Sequence, residues 1–295
     1  MDFLSHLKEK EILLFDGALG TELMRRGLKP GEAPDRWNID HPEVIREIFE
    51  QYYNAGSDLV QTATFRANGV ALEKYGIKNM LEEINKSAGE ILRSVCPPDK
   101  CVIGDIGPSG EFLKPVGKAS INELKLGFQL QTKALAPFVD AWHLETFSDI
   151  REMKAAVIAV QIESNKPIIA SMTYKKTPKG YFTIMGNNAV DCVSELLNSG
   201  VAIIGSNCTL SSDEFFDLVK IMRTVAPKIP LSIKPNAGNP QLEDGKSVYK
   251  QPPEGFAKDM KKILENDGQI VGGCCGTGPR HIQLLRKIID NLRGG

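Results

Sequence analysis

The sequence predicts an α/β fold, a single (β/α)8 barrel spanning residues 1–295. Three observations carry this. Short, near-continuous apolar runs alternate with amphipathic segments, the pattern of parallel strands covered by helices. The alternation repeats eight times in 295 residues, which suits a closed barrel better than an open sheet. No glycine- or serine-rich linker and no low-complexity tract divides the chain.

The first run is Ile12–Asp16, leading into Asp16-Gly-Ala-Leu-Gly-Thr21. Asp40 before Pro42 and Glu43 predicts a capped helix that carries Val44, Ile45, Ile48 and Phe49 on one face and stops at Gly56. The second run is Asp58–Phe65, with a helix near 80–95. The third, Cys101–Gly107, opens a longer loop before Ser120-Ile-Asn-Glu123, a capping box. The fourth is Val139–Phe147, followed by a helical pattern over 148–163.

Pro167–Thr173 is the fifth run, with a helix over about 189–198. Val201–Cys208 is the sixth, and Ser211-Ser-Asp-Glu214 is expected to cap its helix. Pro230–Asn236 is the seventh; Lys250-Gln-Pro-Pro-Glu254 reads as a turn before the helix that follows. The eighth is Ile270-Val-Gly-Gly-Cys-Cys-Gly-Thr-Gly278, then Pro279 and a helix with Ile282, Leu285, Ile288 and Leu292 on one face.

Composition narrows the function. The net charge of −1 favours neither nucleic acid nor an anionic membrane as partner. Met1–Lys10 is too charged for a signal peptide, and no stretch of eighteen apolar residues occurs. Six scattered cysteines do not form a secreted disulfide framework, so a reducing cytoplasm is expected.

Barrel active sites lie at the C-terminal ends of the strands. The unusual polar residues fall there: Asp16, Gln61, Thr64, Asp105, Glu145, Asn207 with Cys208, Asn236, and Cys274 with Cys275. Adjacent cysteines on a regular strand face opposite ways, but the flanking glycines permit a backbone that turns both sulfurs to one point. A disulfide between neighbours is strained, which leaves a pair of thiolates for a soft metal, zinc first.

Cys208 ends the sixth strand, so Cys208, Cys274 and Cys275 are expected to meet one ion. Three protein ligands with one exchangeable position is the pattern of a catalytic zinc site. The Gly272–Gly278 loop, lying before a helix, has an alternative reading as a phosphate cradle, which leaves two cysteines unexplained. Cys96, Cys101 and Cys192 read as small hydrophobes. His143 reads as a satisfied core histidine and His281 as a support for the last loop, while Asp16 and Glu145 are equally readable as loop-capping carboxylates. The lysines and arginines read as solvated faces.

These stretches resemble the homocysteine S-methyltransferase family. The resemblance rests on Asp16–Thr21, Gly56–Phe65, Gly104–Gly110, Glu145–Asp149, Gly205–Cys208, Pro235–Gly238 and Gly272–Gly276, in order along nearly the whole chain. The wording of Gly104–Gly110 and Glu145–Asp149 is most similar to the homocysteine module of cobalamin-dependent methionine synthase. The resemblance implies that Cys208, Cys274 and Cys275 hold zinc and that Asn236 is a labile fourth ligand. It also implies that Asp16 and Glu145 hold the homocysteine ammonium, with the backbone of Gly17 and Ala18 close by.

The implied reaction is methylation of a zinc-activated homocysteine thiol to methionine. In Gln61-Thr-Ala-Thr-Phe-Arg66, alanine stands where methionine synthases carry asparagine. Gln61 matches the betaine branch, whereas Arg66 replaces that branch's tyrosine, so betaine is not implied as donor. No Asp-x-His-x-x-Gly cobalamin box occurs, and a methylcorrinoid on a partner protein or module is the expected donor. The alternatives are a small sulfonium donor such as S-methylmethionine or S-adenosylmethionine, or an accessory subunit that binds zinc and thiol without turnover.

Overall fold

A computed structural model describes residues 3–243, 246–266 and 268–293. Eight parallel strands form a nearly closed barrel: β1 Leu13–Leu14, β2 Leu59–Gln61, β3 Cys101–Ile106, β4 Ala141–Phe147, β5 Ile168–Met172, β6 Ile203–Ser211, β7 Leu231–Asn236 and β8 Ile270–Val271. Their order is β1-β8-β7-β6-β5-β4-β3-β2. A parallel bridge between Phe15 and Leu59 joins β1 to β2, with Asp16 N–H donating to the Leu59 carbonyl at 3.0 Å.

The period of two along each strand sorts the apolar residues into two cores. Leu13, Phe15, Leu59, Cys101, Ile103, Ala141, Ile169, Ile203 and Ile270 pack inside the barrel, together with Phe3 and Leu7 of the helix Phe3–Lys10. Their outward-facing neighbours, among them Leu14, Val60, Val102, Trp142, Ile204 and Ile233, join the helix faces in the larger core. On β7 the outward residues are Leu231 and Ile233, so Ser232, Lys234 and Asn236 lie on the inward parity.

Most predicted elements form with small shifts of boundary. Ser120 and Glu123 make the full capping box of the helix Ile121–Leu135. The helices Leu81–Val95, Ile150–Glu163 and Ala189–Asn198 lie where the periodicity places them. Pro252 caps Pro253–Leu264, and the apolar stripe of Pro279–Arg293 buries Ile282, Leu285 and Ile289, while Leu292 is exposed.

Two caps differ. Asp40 closes a short helix, Trp37–Asp40, and pairs with Arg36 at 2.9 Å, so His41 and Pro42 open the helix Pro42–Asn54. Ser211 is the last residue of β6, and Glu214 accepts its N–H and hydroxyl at 3.1 and 2.8 Å, ahead of a helix at Phe215–Val225. Two antiparallel ribbons, Lys175–Thr177 with Gly180–Phe182 and Gln241–Glu243 with Lys246–Val248, follow β5 and β7 without a counterpart in the predicted pattern.

Candidate metal centre

β8 ends at Val271, and the chain then turns through Gly272–Gly278 before the last helix. Gly276 takes φ +83°, a region open to glycine at little cost. This turn frees Cys274 and Cys275 from the alternation of a strand. The loop is docked on the end of β7: Cys274 N–H donates to the Pro235 carbonyl at 2.7 Å, and Ala237 N–H to the Cys275 carbonyl at 2.9 Å. Asn236, between those anchors, is thereby held beside both cysteines.

Cys208 arrives through a distortion. The β6–β7 register shifts between Asn207 and Ser211, and Cys208 and Thr209 both take left-handed φ angles near +60°. Such a bulge re-aims side chains, and non-glycine residues held there are strained by about 1–3 kcal/mol each. The sulfurs of Cys208, Cys274 and Cys275 consequently lie within 4.8 Å of one another, with Cys208 Sγ to Cys275 Sγ at 3.8 Å. Tetrahedral thiolates at ~2.3 Å from zinc lie about 3.8 Å apart.

The protonation pattern also suits a cation. Hydrogen bonds from Cys208 and Cys274 hold Cys275 down at about 3. The bond with Cys274 pulls Cys208 down, but its bond to Cys275 and burial outweigh this and push it up to about 12. Bonds to Cys208 and Cys275, then burial, push Cys274 well up. Three sulfurs this close disfavour full ionisation together, and a divalent ion would supply the missing counter-charge. Asn236, 1% exposed, has its Oδ1 buried without a hydrogen-bond partner. Three thiols and one unsatisfied amide oxygen at the end of β7 fit a tetrahedral metal.

Below the sulfurs the inward residues are polar. Glu145 follows His143 by two on β4, whose register shifts between Leu144 and Phe147, with Thr146 at φ +64°. Asn207 links the two bulges: its Oδ1 accepts Thr146 N–H at 2.8 Å, and its Nδ2 donates to Glu145 Oε2 at 3.1 Å and approaches Cys274 Sγ at 3.8 Å. Burial raises the Glu145 pKa against the pull of Lys234, and burial followed by the Glu145 charge pushes Asp105 well up. His143 is fully enclosed, with Nδ1 3.2 Å from Gln61 Oε1 and Nε2 2.7 Å from Ser171 Oγ. Burial and then Lys234 push its pKa well below the usual value, so it is neutral, the core histidine that was expected.

Lys234 departs from the solvated-lysine reading. It is 3% exposed, and its Nζ donates to Asp16 Oδ1 at 2.9 Å and to Gln61 Oε1. The ammonium also sits 4.3 Å from the Phe15 ring centroid. Burial lowers its pKa, but Asp16 and Glu145 outweigh burial and keep it charged. The signal was its position two residues before Asn236 on a strand of period two.

Asp16 is enclosed as well; its second oxygen accepts Gln61 N–H at 2.7 Å. Gly17 and Ala18 follow at the rim, where Ala18 N–H donates to Thr277 Oγ1 at 3.2 Å and its carbonyl accepts Tyr52 OH at 3.0 Å. His281 Nδ1 accepts Gly278 N–H at 3.1 Å, supporting the last loop as predicted. Cys101 and Cys192 are buried away from the centre and Cys96 is half-buried.

Fold and site together define a parallel α/β barrel with a three-cysteine cluster, able to hold a metal ion, at its strand ends. A family model described as homocysteine S-methyltransferase matches residues 13–289, and the chain belongs to that family. It is 28% identical to a methionine synthase of Mycobacterium tuberculosis and 29% identical to one of Mycobacterium leprae, over 99% and 100% of this chain. The chain spans about a quarter (26%) of the length of each. Among solved structures it resembles the homocysteine methyltransferase MmuM from Escherichia coli in metallated form, with TM-score 0.78 and 21% identity. That match covers 97% of this chain and 99% of the other, a likeness of fold.

Proposed function

We propose that Cys208, Cys274 and Cys275 hold zinc, with Asn236 as the ligand that gives way to substrate, and that the chain transfers a methyl group to L-homocysteine, yielding methionine. The cluster of three sulfurs carries this reading, and an unsatisfied Asn236 oxygen on the strand end to which the cysteine loop is docked supports it. Bound zinc lowers the pKa of a coordinating thiol so that it is a thiolate at neutral pH.

The chain's own residues supply the rest. Asp16 and Glu145 give the amino-acid end of the substrate an anionic floor beneath the sulfurs, with Gly17 and Ala18 at its edge. Asn207 ties Glu145 to the Cys274 side of the centre, so the thiol and amino ends of one molecule are positioned together. The homocysteine sulfur gains the methyl group, its S–H proton having been lost, and the donor leaves with the electron pair of its broken bond.

The resemblance of Gly104–Gly110 and Glu145–Asp149 to the homocysteine module of cobalamin-dependent methionine synthase supports a methylcorrinoid, on a partner protein or module, as the donor. Supplying zinc-loaded chain and homocysteine with either a methylcorrinoid protein or S-methylmethionine, and measuring methionine, tests this. Product from the corrinoid arm that vanishes in Cys274→Ala is expected. Product from S-methylmethionine alone would reassign the donor, and product that persists in Cys274→Ala after chelation would overturn the metal-centred reading.

A further inference from the structure

We infer that Asn207 is a positioning residue for the metal centre: its side-chain amide gives the Cys274 sulfur an N–H partner and holds that sulfur against the bulge of β4. The inference rests on the metal-centred reading above and deepens it, because it says what orients one of the three ligands. Asn207 is fully buried, on the inward parity of β6 and one residue before Cys208. Its amide is committed at both ends. Oδ1 accepts the Thr146 N–H at 2.8 Å. Nδ2 donates to Thr146 Oγ1 at 2.7 Å and to Glu145 Oε2 at 3.1 Å, and it reaches Cys274 Sγ at 3.8 Å.

β4 and β6 are not neighbours, since β5 lies between them. The amide therefore reaches past β5 and joins three separate segments: the left-handed residue Thr146 of β4, the bulge of β6 that carries Cys208, and the loop that carries Cys274. Its two N–H groups face three acceptors. The Thr146 hydroxyl, the nearest, takes one, and the other lies between Glu145 and Cys274. A metal-held thiolate is a charged acceptor, and a hydrogen bond to a charged group is roughly twice as strong as one between neutral groups. The shared N–H is thus drawn toward Cys274 when the centre is loaded, where it withdraws charge from that ligand and fixes its direction. Asn207 acts through Cys274 and touches neither the metal nor the reacting atoms.

The test compares two near-isosteric variants of the full chain. Asn207→Leu removes the N–H, whereas Thr146→Val removes only the hydroxyl that the same amide contacts. Zinc affinity is measured by competition with a chromophoric chelator. Asn207→Leu should weaken zinc by about 10-fold or more, and Thr146→Val should stay within about threefold of the wild-type chain. On the cobalt(II)-loaded chain, the thiolate-to-metal charge-transfer band should move to lower energy in Asn207→Leu and stay in place in Thr146→Val, because a sulfur without its N–H partner is a stronger electron donor.

A band that does not move in Asn207→Leu, even with zinc weakened, overturns the inference and leaves Asn207 a clamp of the bulge. An equal loss of zinc in Thr146→Val overturns it as well. A measurement on the wild-type chain decides the matter if Asn207→Leu does not fold. With a magnetic cadmium isotope bound, NMR should show coupling between the metal and an Asn207 side-chain amide proton through the Cys274 sulfur, and absence of that coupling contradicts the inference. Wild-type chain that takes up no metal overturns the metal-centred reading beneath it.

Discussion

Cys208 is held at φ +60°, a conformation that costs a cysteine free energy and is retained where surrounding structure imposes it. Here the imposing elements are the Asn207–Thr146 contacts and the bonds of the last loop to β7. The strain places one sulfur 3.8 Å from another, a separation that suits a shared ion. We predict that Cys208→Ala, Cys274→Ala and Cys275→Ala each abolish stoichiometric zinc in the purified chain, measured by elemental analysis. Asn236→Ala should retain zinc at one per chain, with affinity lowered by roughly 10-fold, because a labile neutral ligand adds less than a thiolate. Loss of zinc in Asn236→Ala equal to that in the cysteine variants would contradict the labile role.

At this scale the three cysteines were legible because an adjacent pair among glycines at a strand end has few other uses, and strand ends made them converge. Lys234 was not legible by residue type, since most lysines are solvated. Its inward parity follows only once Asn236 is assigned to the interior.

Among the elements, the two bulges and the Gly-rich loop build the site, and regular strands would not. Period-two reasoning predicts where a strand runs but is silent on where it breaks step, so the register shifts of β4 and β6 were illegible. The two ribbons lay beyond reach for a related reason, since short exposed hairpins leave little apolar pattern. The caps at Asp40 and Ser211 moved because each residue was already committed to the preceding element.

The glycines of the loop were read correctly as permissive, and their individual duties now differ. A Cβ on Gly272 would meet Phe15 Cβ at 2.6 Å, so that glycine lets the loop lie on β1. Gly276 combines φ +83° with a Cβ position 2.3 Å from Tyr249 Cβ. Gly276→Ala should destabilise the chain by at least about 2 kcal/mol and reduce zinc retention, since conformational strain and overpacking add. Urea unfolding checks the first effect and elemental analysis the second. A variant with an unchanged urea midpoint would mean the loop relaxes freely.

For the whole molecule, the barrel is tied at the end opposite the three cysteines. Asp58, buried at the start of β2, accepts Lys10 and Lys100 at 2.9 Å, Arg286 at 3.0 Å and Leu14 N–H at 3.0 Å. It therefore binds the first helix, the turn before β3 and the last helix to the seam between β1 and β2. Burial raises its pKa, but Lys100, the Leu14 N–H and Lys10 together outweigh burial and hold it at about 2, below the ordinary 3.8. A depressed carboxylate stabilises the fold above its unfolded pKa and ceases to do so as pH falls through its folded one.

Asp58 should thus contribute about 2 kcal/mol at pH 7, lost between roughly pH 4 and pH 2. Asp58→Asn should lower stability at pH 7 and flatten its acid dependence in that window, followed by denaturant titration at several pH values. An unchanged acid limb would mean that the cluster is not coupled to folding. Among the described residues no helix is long and apolar enough to cross a membrane.

The central claim is that three sulfurs converge at the mouth of this barrel to hold a metal that takes up a substrate thiol. X-ray absorption at the zinc edge, on the stoichiometrically loaded chain with and without L-homocysteine, tests it most directly. The account predicts three sulfurs and one lighter ligand per zinc, rising to four sulfurs when homocysteine is added. A sulfur count that does not respond to homocysteine, or a purified chain that retains no zinc, would contradict it.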